Sequence, residues 1–529
     1  MHDEQFTLEA IEAIALGRQT LVLSEAQQQT VSEAHQFLLD GITKRQRIYG
    51  VTTGYGPLAT TEVDPRQSAQ LQQNLVYHLC SGVGKPLARQ HVRAMMVARI
   101  ASLALGHSGA NPALLQRMQA WLTADVVPEI PSQGTVGASG DLTPLAHLAR
   151  ALSGGGRVSI NGGSWIESAT AHQQLGWQPL VLHGKDAIAL VNGTSATAGI
   201  AALNATAAER AVKLSTLLVL LYSELLTGHR EAFHPAIGKL RPHPGQQQLH
   251  RWLWSLSASS QALTPWQATP ERLAEMSEDI AQNRPLLQDS YTLRCAPQAL
   301  GAVLDVVSQH ASTVRIEIGS VTDNPLLLVD EQLVLHGGNF FGQHLAFASD
   351  HLNNALIQMA LYSERRIARI TDPLKNKGLP AFMQPQDTGL HSGFMGAQVC
   401  ATSLVAELRS QAMPASIQSI PTNADNQDIV PLGTIAARRA SISLTQLYQI
   451  LAIEALILAQ GAELKNREVL SHASQTLCGW VRDFAAPLQK DRPLAEDIAN
   501  LAAALADPDQ VRPLMTLFDE ATTDSLNTF

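Results

Sequence analysis

The stretch Gly134-Thr-Val-Gly-Ala-Ser-Gly-Asp-Leu-Thr-Pro-Leu-Ala-His-Leu-Ala149 places Ala138, Ser139 and Gly140 in a row between another glycine and an aspartate. One reading is a glycine-rich turn into a helix, with Asp141 near its N-terminus and Pro144 in the first turn. The other is chemical. In a tight bend the Gly140 nitrogen attacks the Ala138 carbonyl, and loss of water closes a five-membered ring. Loss of a second water, from Ser139, leaves an exocyclic methylidene. Gly140 is unhindered and conformationally free, Ser139 supplies the β-hydroxyl that becomes the alkene, and Ala138 is small. The product is a strong electrophile made from backbone alone, with no bound cofactor.

Other motifs are weaker. Gly54-Tyr-Gly56-Pro-Leu-Ala59 matches a dinucleotide fingerprint, but Pro57 sits where a helix should open and no strand–helix alternation follows. Gly84-Lys85 lacks the upstream glycine of a phosphate loop. Gly137-Ala-Ser139-Gly-Asp141 misses the hydrolase elbow at its last position. His229 and His234 flank Glu231 without the spacing of a helical zinc site. These readings leave no metal and no nucleotide cofactor.

The elements that position this chemistry are mostly helical. The chain has 529 residues, 45% of them hydrophobic and 16% charged, with a net charge of −9. That is a large core with much buried surface, and no basic block for a nucleic acid. Four cysteines without a CxxC pair, and an N-terminus without the apolar core of a signal peptide, fit a reduced, cytoplasmic protein. The longest strongly apolar run, Leu217 to Tyr222, is too short for a bilayer, so no membrane role is expected. Residues 1–191 read as a turn-rich, mixed unit holding the Ala-Ser-Gly stretch. Its turns fall at Gly50–Pro57, Gly82–Pro86, Gly106–Pro112 and Pro128–Gly140, with a helix over Val92–Leu105 and a hairpin turning at Asn161-Gly162. Residues 192–529 read as a helical bundle, with long apolar-periodic segments at 196–227, 298–318, 344–369, 396–411 and 432–464 and a second hairpin over Leu326–Leu335. The fold class is mainly α.

GTVGASGDLTPLAH resembles the prosthetic-group signature of the aromatic amino acid lyase family, which holds histidine, phenylalanine and tyrosine ammonia-lyases and related aminomutases. Seven further blocks resemble the family in its order: Tyr49-Gly-Val-Thr-Thr-Gly-Tyr-Gly56, Leu190-Val-Asn-Gly-Thr-Ser195, Gln288-Asp-Ser-Tyr-Thr-Leu-Arg-Cys-Ala-Pro-Gln298, Val321-Thr-Asp-Asn-Pro325, His336-Gly-Gly-Asn-Phe340, Ser392-Gly-Phe-Met-Gly-Ala-Gln398 and Asn423-Ala-Asp-Asn-Gln-Asp428. The resemblance implies a 4-methylidene-imidazol-5-one (MIO) group formed autocatalytically from Ala138-Ser139-Gly140. It also implies elimination of ammonia from an α-amino acid, and a homotetramer whose sites draw on three subunits. The extra C-terminal shielding domain of longer plant-type enzymes is not expected.

By the same resemblance, Tyr49 is the base for the β-proton. A phenol ordinarily ionises near pH ~10, so such a base needs surroundings that favour the phenolate. Gly50, Gly54 and Gly56 would form its mobile lid. Arg294 clamps the substrate carboxylate, and Tyr291, one turn earlier, is the second tyrosine near the prosthetic group. Asn192 and Gln288 hydrogen-bond the carboxylate or the ring carbonyl. Phe340 packs beside the group, Asn423, Asn426 and Gln427 form the remaining block, and Gly56 and Leu142 also fall among the substrate-binding positions.

His78-Leu79 resembles the pair of the bacterial tyrosine ammonia-lyases, where histidine enzymes typically show Ser-His and phenylalanine enzymes Phe-Leu. A histidine there hydrogen-bonds a phenol hydroxyl, and a leucine walls a benzene ring. For a lone histidine, a satisfied core residue is the commoner case. Gln427 suits an uncharged ring, where histidine enzymes usually carry Glu. Asp425 departs from the tyrosine pattern and keeps a histidine substrate open, although it is expected to face away. The expectation is L-tyrosine converted to trans-p-coumarate, with L-histidine or L-phenylalanine lyase activity, tyrosine aminomutase activity and an inactive homologue as the alternatives.

Overall fold

Local signals place the helices. Ser24 caps the Glu25–Thr43 helix by accepting from the Gln27 amide while the Gln27 side chain returns to the Ser24 amide, a reciprocal arrangement that satisfies two otherwise orphaned donors. The computed structural model describes residues 4–264 and 288–527. In it the apolar-periodic segments become the helices Arg89–Leu103, Ser195–Leu225, Ala296–Ile318, Gln343–Thr371, Met395–Ser410 and Gly433–Leu464. Each lies within a few residues of its expected span, and the protein is mainly α.

Both expected hairpins are present. Arg157–Ile160 pairs with Ile166–Glu167, and Asn161 and Gly162 take positive φ of 50° and 70° at the turn, the left-handed pair that such a turn requires. Val126–Pro128 adds to the other edge of Arg157–Ile160. Leu326–Leu328 pairs with Leu333–Leu335. The segments 82–86 and 128–140, expected as turns, also hold strands: Val83–Pro86 pairs with Pro131–Gln133 through an irregular register. Glycine and proline mark the irregularity of such short edge strands as readily as a turn.

The chain sorts into two compact units. The first takes the chain up to Thr206 with 309–351 and 414–441, and the second takes 207–308, 352–413 and the chain from Ile442. The expected boundary after residue 191 falls inside the first unit, and four of the five points where the chain passes between units fall within long helices. The core of the first unit gathers Met96, Trp121, Leu145, Leu148 and Leu190. Arg93 is buried there too, donating to the carbonyls of Ile14, Ala15 and Leu122 and so capping the ends of two helices.

Gly433–Leu464 is, among the described residues, the one helix long and apolar enough to cross a membrane, and 78% of its most apolar window is buried inside the protein. Within the second unit it carries Glu454, which pairs with Arg366 through Nε at 2.5 Å and Nη2 at 2.8 Å, both side chains buried. Removing one member leaves an uncompensated buried charge. Glu454→Gln is expected to destabilise the protein by about 3–5 kcal/mol, read as a lowered urea midpoint. A midpoint shift under about 1 kcal/mol would mean that solvent reaches the pair.

Candidate active site

The Ala138–Ser139–Gly140 loop is held by backbone contact as much as by side chains. Gly140 has φ +72°, and a Cβ there would stand 2.2 Å from the Gly193 carbonyl oxygen. Gly193 has φ +138°, and its own Cβ would stand 2.3 Å from Arg99 Nη1 and 2.4 Å from the Thr322 carbonyl oxygen. Only glycine fits at either position. The Asp141 amide donates to the Gly193 carbonyl at 2.7 Å. Asp141 is buried and does not cap the helix that follows it. Its carboxylate accepts from the Ala196 and Thr197 amides, the Thr197 hydroxyl and the Thr434 hydroxyl, at the N-terminus of Ser195–Leu225. Burial pushes the Asp141 carboxyl up, and these donors pull it back. The helix after the loop, Thr143–Leu152, begins at Leu142, a non-glycine residue at φ 46°, which is strained backbone.

The same loop fits the ring-forming chemistry. Asn192 Nδ2 donates to the Ser139 carbonyl at 2.9 Å, the oxygen that the ring would retain. Gln427 Nε2 donates to Ser139 Oγ at 3.1 Å, the oxygen that would leave. Asn192 Oδ1 is buried without a partner and remains an available acceptor. Among the described residues no group of three His, Cys, Asp or Glu could hold a metal ion.

Ala138 and Ser139 open into a cavity of about 610 Å³, all of whose lining residues belong to the first unit. Tyr49 reaches it from the glycine-rich loop, where the Gly56 amide donates to its Oη at 2.8 Å and fixes the oxygen. A Cβ on Gly56 would stand 2.8 Å from Asn423 Nδ2, so the glycine-rich loop and the 423–427 loop meet closely. Tyr55 lies edge-on to Tyr49 at 6.4 Å. Burial, and then the Tyr49 charge, push the Tyr55 phenol well above its usual range.

The Ser68–Leu79 helix presents Leu75, His78 and Leu79 to the cavity at the i, i+3, i+4 spacing of one face. His78 is exposed on this wall and is not a core histidine. Its Nδ1 lies 3.1 Å from the Asn74 carbonyl. A carbonyl only accepts, so Nδ1 carries a hydrogen, and in the neutral imidazole Nε2 is then the acceptor. Opposite, Asn423, Ala424 and Asp425 all take positive φ, in a tight turn closed by the Thr422–Gln427 bridge. The turn brings Asn423, Asn426 and Gln427 to the cavity, and Asp425 does not line it.

The cavity therefore gathers Tyr49, Gly56, His78, Leu79, Ala138, Ser139, Leu142, Asn192, Phe340, Asn423, Asn426 and Gln427. Gly140, the third residue of the Ala-Ser-Gly stretch, does not line it. Sequence reasoning missed Tyr55, Leu75, Ile188 and Phe341 in its wall. Leu75, one turn before Leu79, was readable from helical spacing, whereas Ile188 arrives only through tertiary packing. Gln288, Tyr291 and Arg294 do not line this cavity. They belong to the second unit, where Gln288 and Arg294 line a separate pocket of about 430 Å³ with His229, Glu231 and Asp289. Arg294 stacks 4.6 Å over the Tyr291 ring, and its Nε donates to the Asp289 carbonyl.

Residues 6–483 match the family model described as aromatic amino acid lyase. The chain is 43% identical to a tyrosine ammonia-lyase of Cereibacter sphaeroides, over 95% of this chain and 96% of that protein. It is 39% identical to a histidine ammonia-lyase of Gloeobacter violaceus, over 94% and 93% of the two chains. A protein of Streptomyces globisporus named an MIO-dependent tyrosine 2,3-aminomutase is 38% identical over 95% of this chain and 94% of its own. A solved tyrosine aminomutase from that organism superposes with a TM-score of 0.90 at 36% identity, covering 96% of this chain and 97% of that one.

Proposed function

The chain belongs to the aromatic amino acid lyase family of carbon–nitrogen lyases, and within it we propose that this enzyme removes ammonia from L-tyrosine to give trans-p-coumarate. The observation that carries the substrate is His78, whose ring stands on the cavity wall with Nδ1 committed to Asn74 and Nε2 open as an acceptor. A phenol hydroxyl donates to that nitrogen, Leu75 and Leu79 flank the ring, and the neutral amide of Gln427 adds no charge beside it.

The MIO group of Ala138–Ser139–Gly140 supplies an electrophile for the amine or the ring of the substrate. The chain's own residues do the rest. Asn192 holds the carbonyl of Ser139, and Tyr49 takes the β-proton at Oη, where the Gly56 amide keeps that oxygen in place. Closure of the Gly50–Gly56 lid excludes water. Arg294 and Gln288 bind the substrate carboxylate and Tyr291 stands beside the amine, delivered by other copies of the chain in a homotetramer.

The test is a comparison of L-tyrosine, L-phenylalanine and L-histidine by the ultraviolet absorbance of the unsaturated product, with chromatography for β-tyrosine. Fastest turnover of tyrosine without β-tyrosine supports the reading. Fastest turnover of histidine overturns the pocket assignment, and accumulation of β-tyrosine makes the enzyme an aminomutase. His78→Phe is expected to lower kcat/KM for L-tyrosine about 10- to 100-fold, because the phenol loses its acceptor, while kcat/KM for L-phenylalanine rises. An unchanged ratio of the two would remove His78 from specificity.

A further inference from the structure

We propose that Arg99 is a positioning residue for ring closure, pressing the Asn192–Gly193 strap against Gly140 so that the Ala138–Gly140 turn stays compact enough to cyclise. The inference rests on the ring-forming reading of that loop.

Arg99 lies on the Arg89–Leu103 helix with no exposed surface. Its Nη1 donates to the Asn192 carbonyl at 2.7 Å and its Nη2 to Ser102 Oγ at 3.0 Å. Its Nε is buried without a partner. Both hydrogen-bond acceptors are neutral; the buried carboxylates of Asp323 and Asp141 favour the guanidinium's charge without bonding to it, so Arg99 keeps a buried cation with incomplete hydrogen bonding, which is costly. Arg93, on the same helix, is also buried, but it caps two helix ends and pairs with Asp125.

The object that Arg99 touches is the strap. Gly193 is sandwiched, with Arg99 Nη1 and the Thr322 carbonyl on one side and Gly140 on the other, and no side chain fits on either face. The far side is itself braced. Ser102 Oγ accepts from the Thr322 amide at 3.2 Å, and the neighbouring Asp323 is tied to Lys185 Nζ at 2.5 Å and to Ser108, all of them buried. Withdrawing the guanidinium lets the strap retreat. Gly140 then loses the contact that accompanies its positive φ and its bridge pairing with Ala138.

Closure forms a bond from Gly140 N to the Ala138 carbonyl carbon. The first water carries off the Ala138 oxygen with one hydrogen each from the amides of Gly140 and Ser139, leaving a carbon–nitrogen double bond. The second carries off Ser139 Oγ, its hydrogen and the Ser139 α-hydrogen, leaving the methylidene. No oxidant or co-reactant enters. Arg99 donates no proton in either step; it sets only how often the turn is compact enough to react.

The experiment is intact-mass spectrometry on the full-length protein after a short pulse of cell-free synthesis, following loss of two waters over time, with far-ultraviolet circular dichroism and thermal unfolding on the same samples. Wild type is expected to lose both waters early. Arg99→Lys, which keeps the charge but loses the fork, is expected to mature roughly tenfold more slowly while retaining helical content. Arg93→Lys is expected to lower the unfolding temperature without delaying maturation. Ser102→Ala, which removes the second partner of Arg99, is expected to show a smaller delay, and it decides the matter if Arg99→Lys does not fold. The proposal is overturned if Arg99→Lys or, where that variant does not fold, Ser102→Ala matures as fast as wild type. It is also overturned if Arg93→Lys is delayed as much as Arg99→Lys, since generic destabilisation then explains both. A wild-type chain that keeps its full mass overturns the ring reading itself, and this inference with it.

Discussion

Ser139→Ala is expected to reduce turnover of every aromatic amino acid by a factor on the order of 10⁴ or more while leaving the protein folded. Alanine has no β-hydroxyl, so no methylidene can form whatever the geometry of the turn, and ammonia remains a poor leaving group. The structural cost is small. Ser139 Oγ holds one hydrogen bond, from Gln427 Nε2 at 3.1 Å, and the loop keeps the contacts that shape it, from Asn192 to the Ser139 carbonyl and from the Asp141 amide to Gly193. The unfolding midpoint should therefore move by less than about 1 kcal/mol, and the intact mass should not show the second loss of water. Substantial remaining activity would disprove the ring as the source of the electrophile. An unfolded variant would show that the hydroxyl supports the turn.

The sequence read well where function is written in local chemistry. The Asn161-Gly162 turn, the long apolar-periodic helices and the Ala-Ser-Gly stretch depend on nearest neighbours, and the expected spans differ from the observed ones by a few residues. Much of the cavity was also legible, because its residues fall in motif blocks that mark special backbone. Gly56 at φ 52° and Asn423 at φ 56° are examples. What stayed hidden is what only packing creates. Arg99 sits in an apolar helical run, where nothing local tells a buried functional cation from the helix-capping Arg93, and its partner carbonyl is 93 residues away. The acceptor role of Asp141 at the start of Ser195–Leu225 was hidden for the same reason, since its position suggested the helix immediately following. Gln288 and Arg294 illustrate the opposite case. The family resemblance assigns them to carboxylate binding, and this chain's cavity does not include them, so their expected role depends on a neighbour that a single chain does not supply.

Two tyrosines line the cavity, and their surroundings separate their roles. Tyr55 is held protonated by burial, and a charge on Tyr49 would hold it more firmly so. It also receives a hydrogen bond from Gln72, which places its hydroxyl in the wall. Tyr49 is half-buried in the glycine-rich loop, with its oxygen fixed by the Gly56 amide. On the proposed mechanism it is Tyr49, and not Tyr55, that accepts the β-proton. Tyr49→Phe is expected to lower kcat by about 10²- to 10⁴-fold, the usual worth of a positioned base, with KM changed little because the ring still fills its place. Maturation by loss of two waters should proceed, which separates this variant from Ser139→Ala. Tyr55→Phe, which leaves the edge-on ring contact in place, is expected to keep kcat within about tenfold, since it removes a wall hydrogen bond and no proton acceptor. If Tyr55→Phe proved the more damaging of the two, with both variants folded and matured, the base would have to be reassigned to Tyr55, and burial would then serve to raise the basicity of its phenolate rather than to keep it silent.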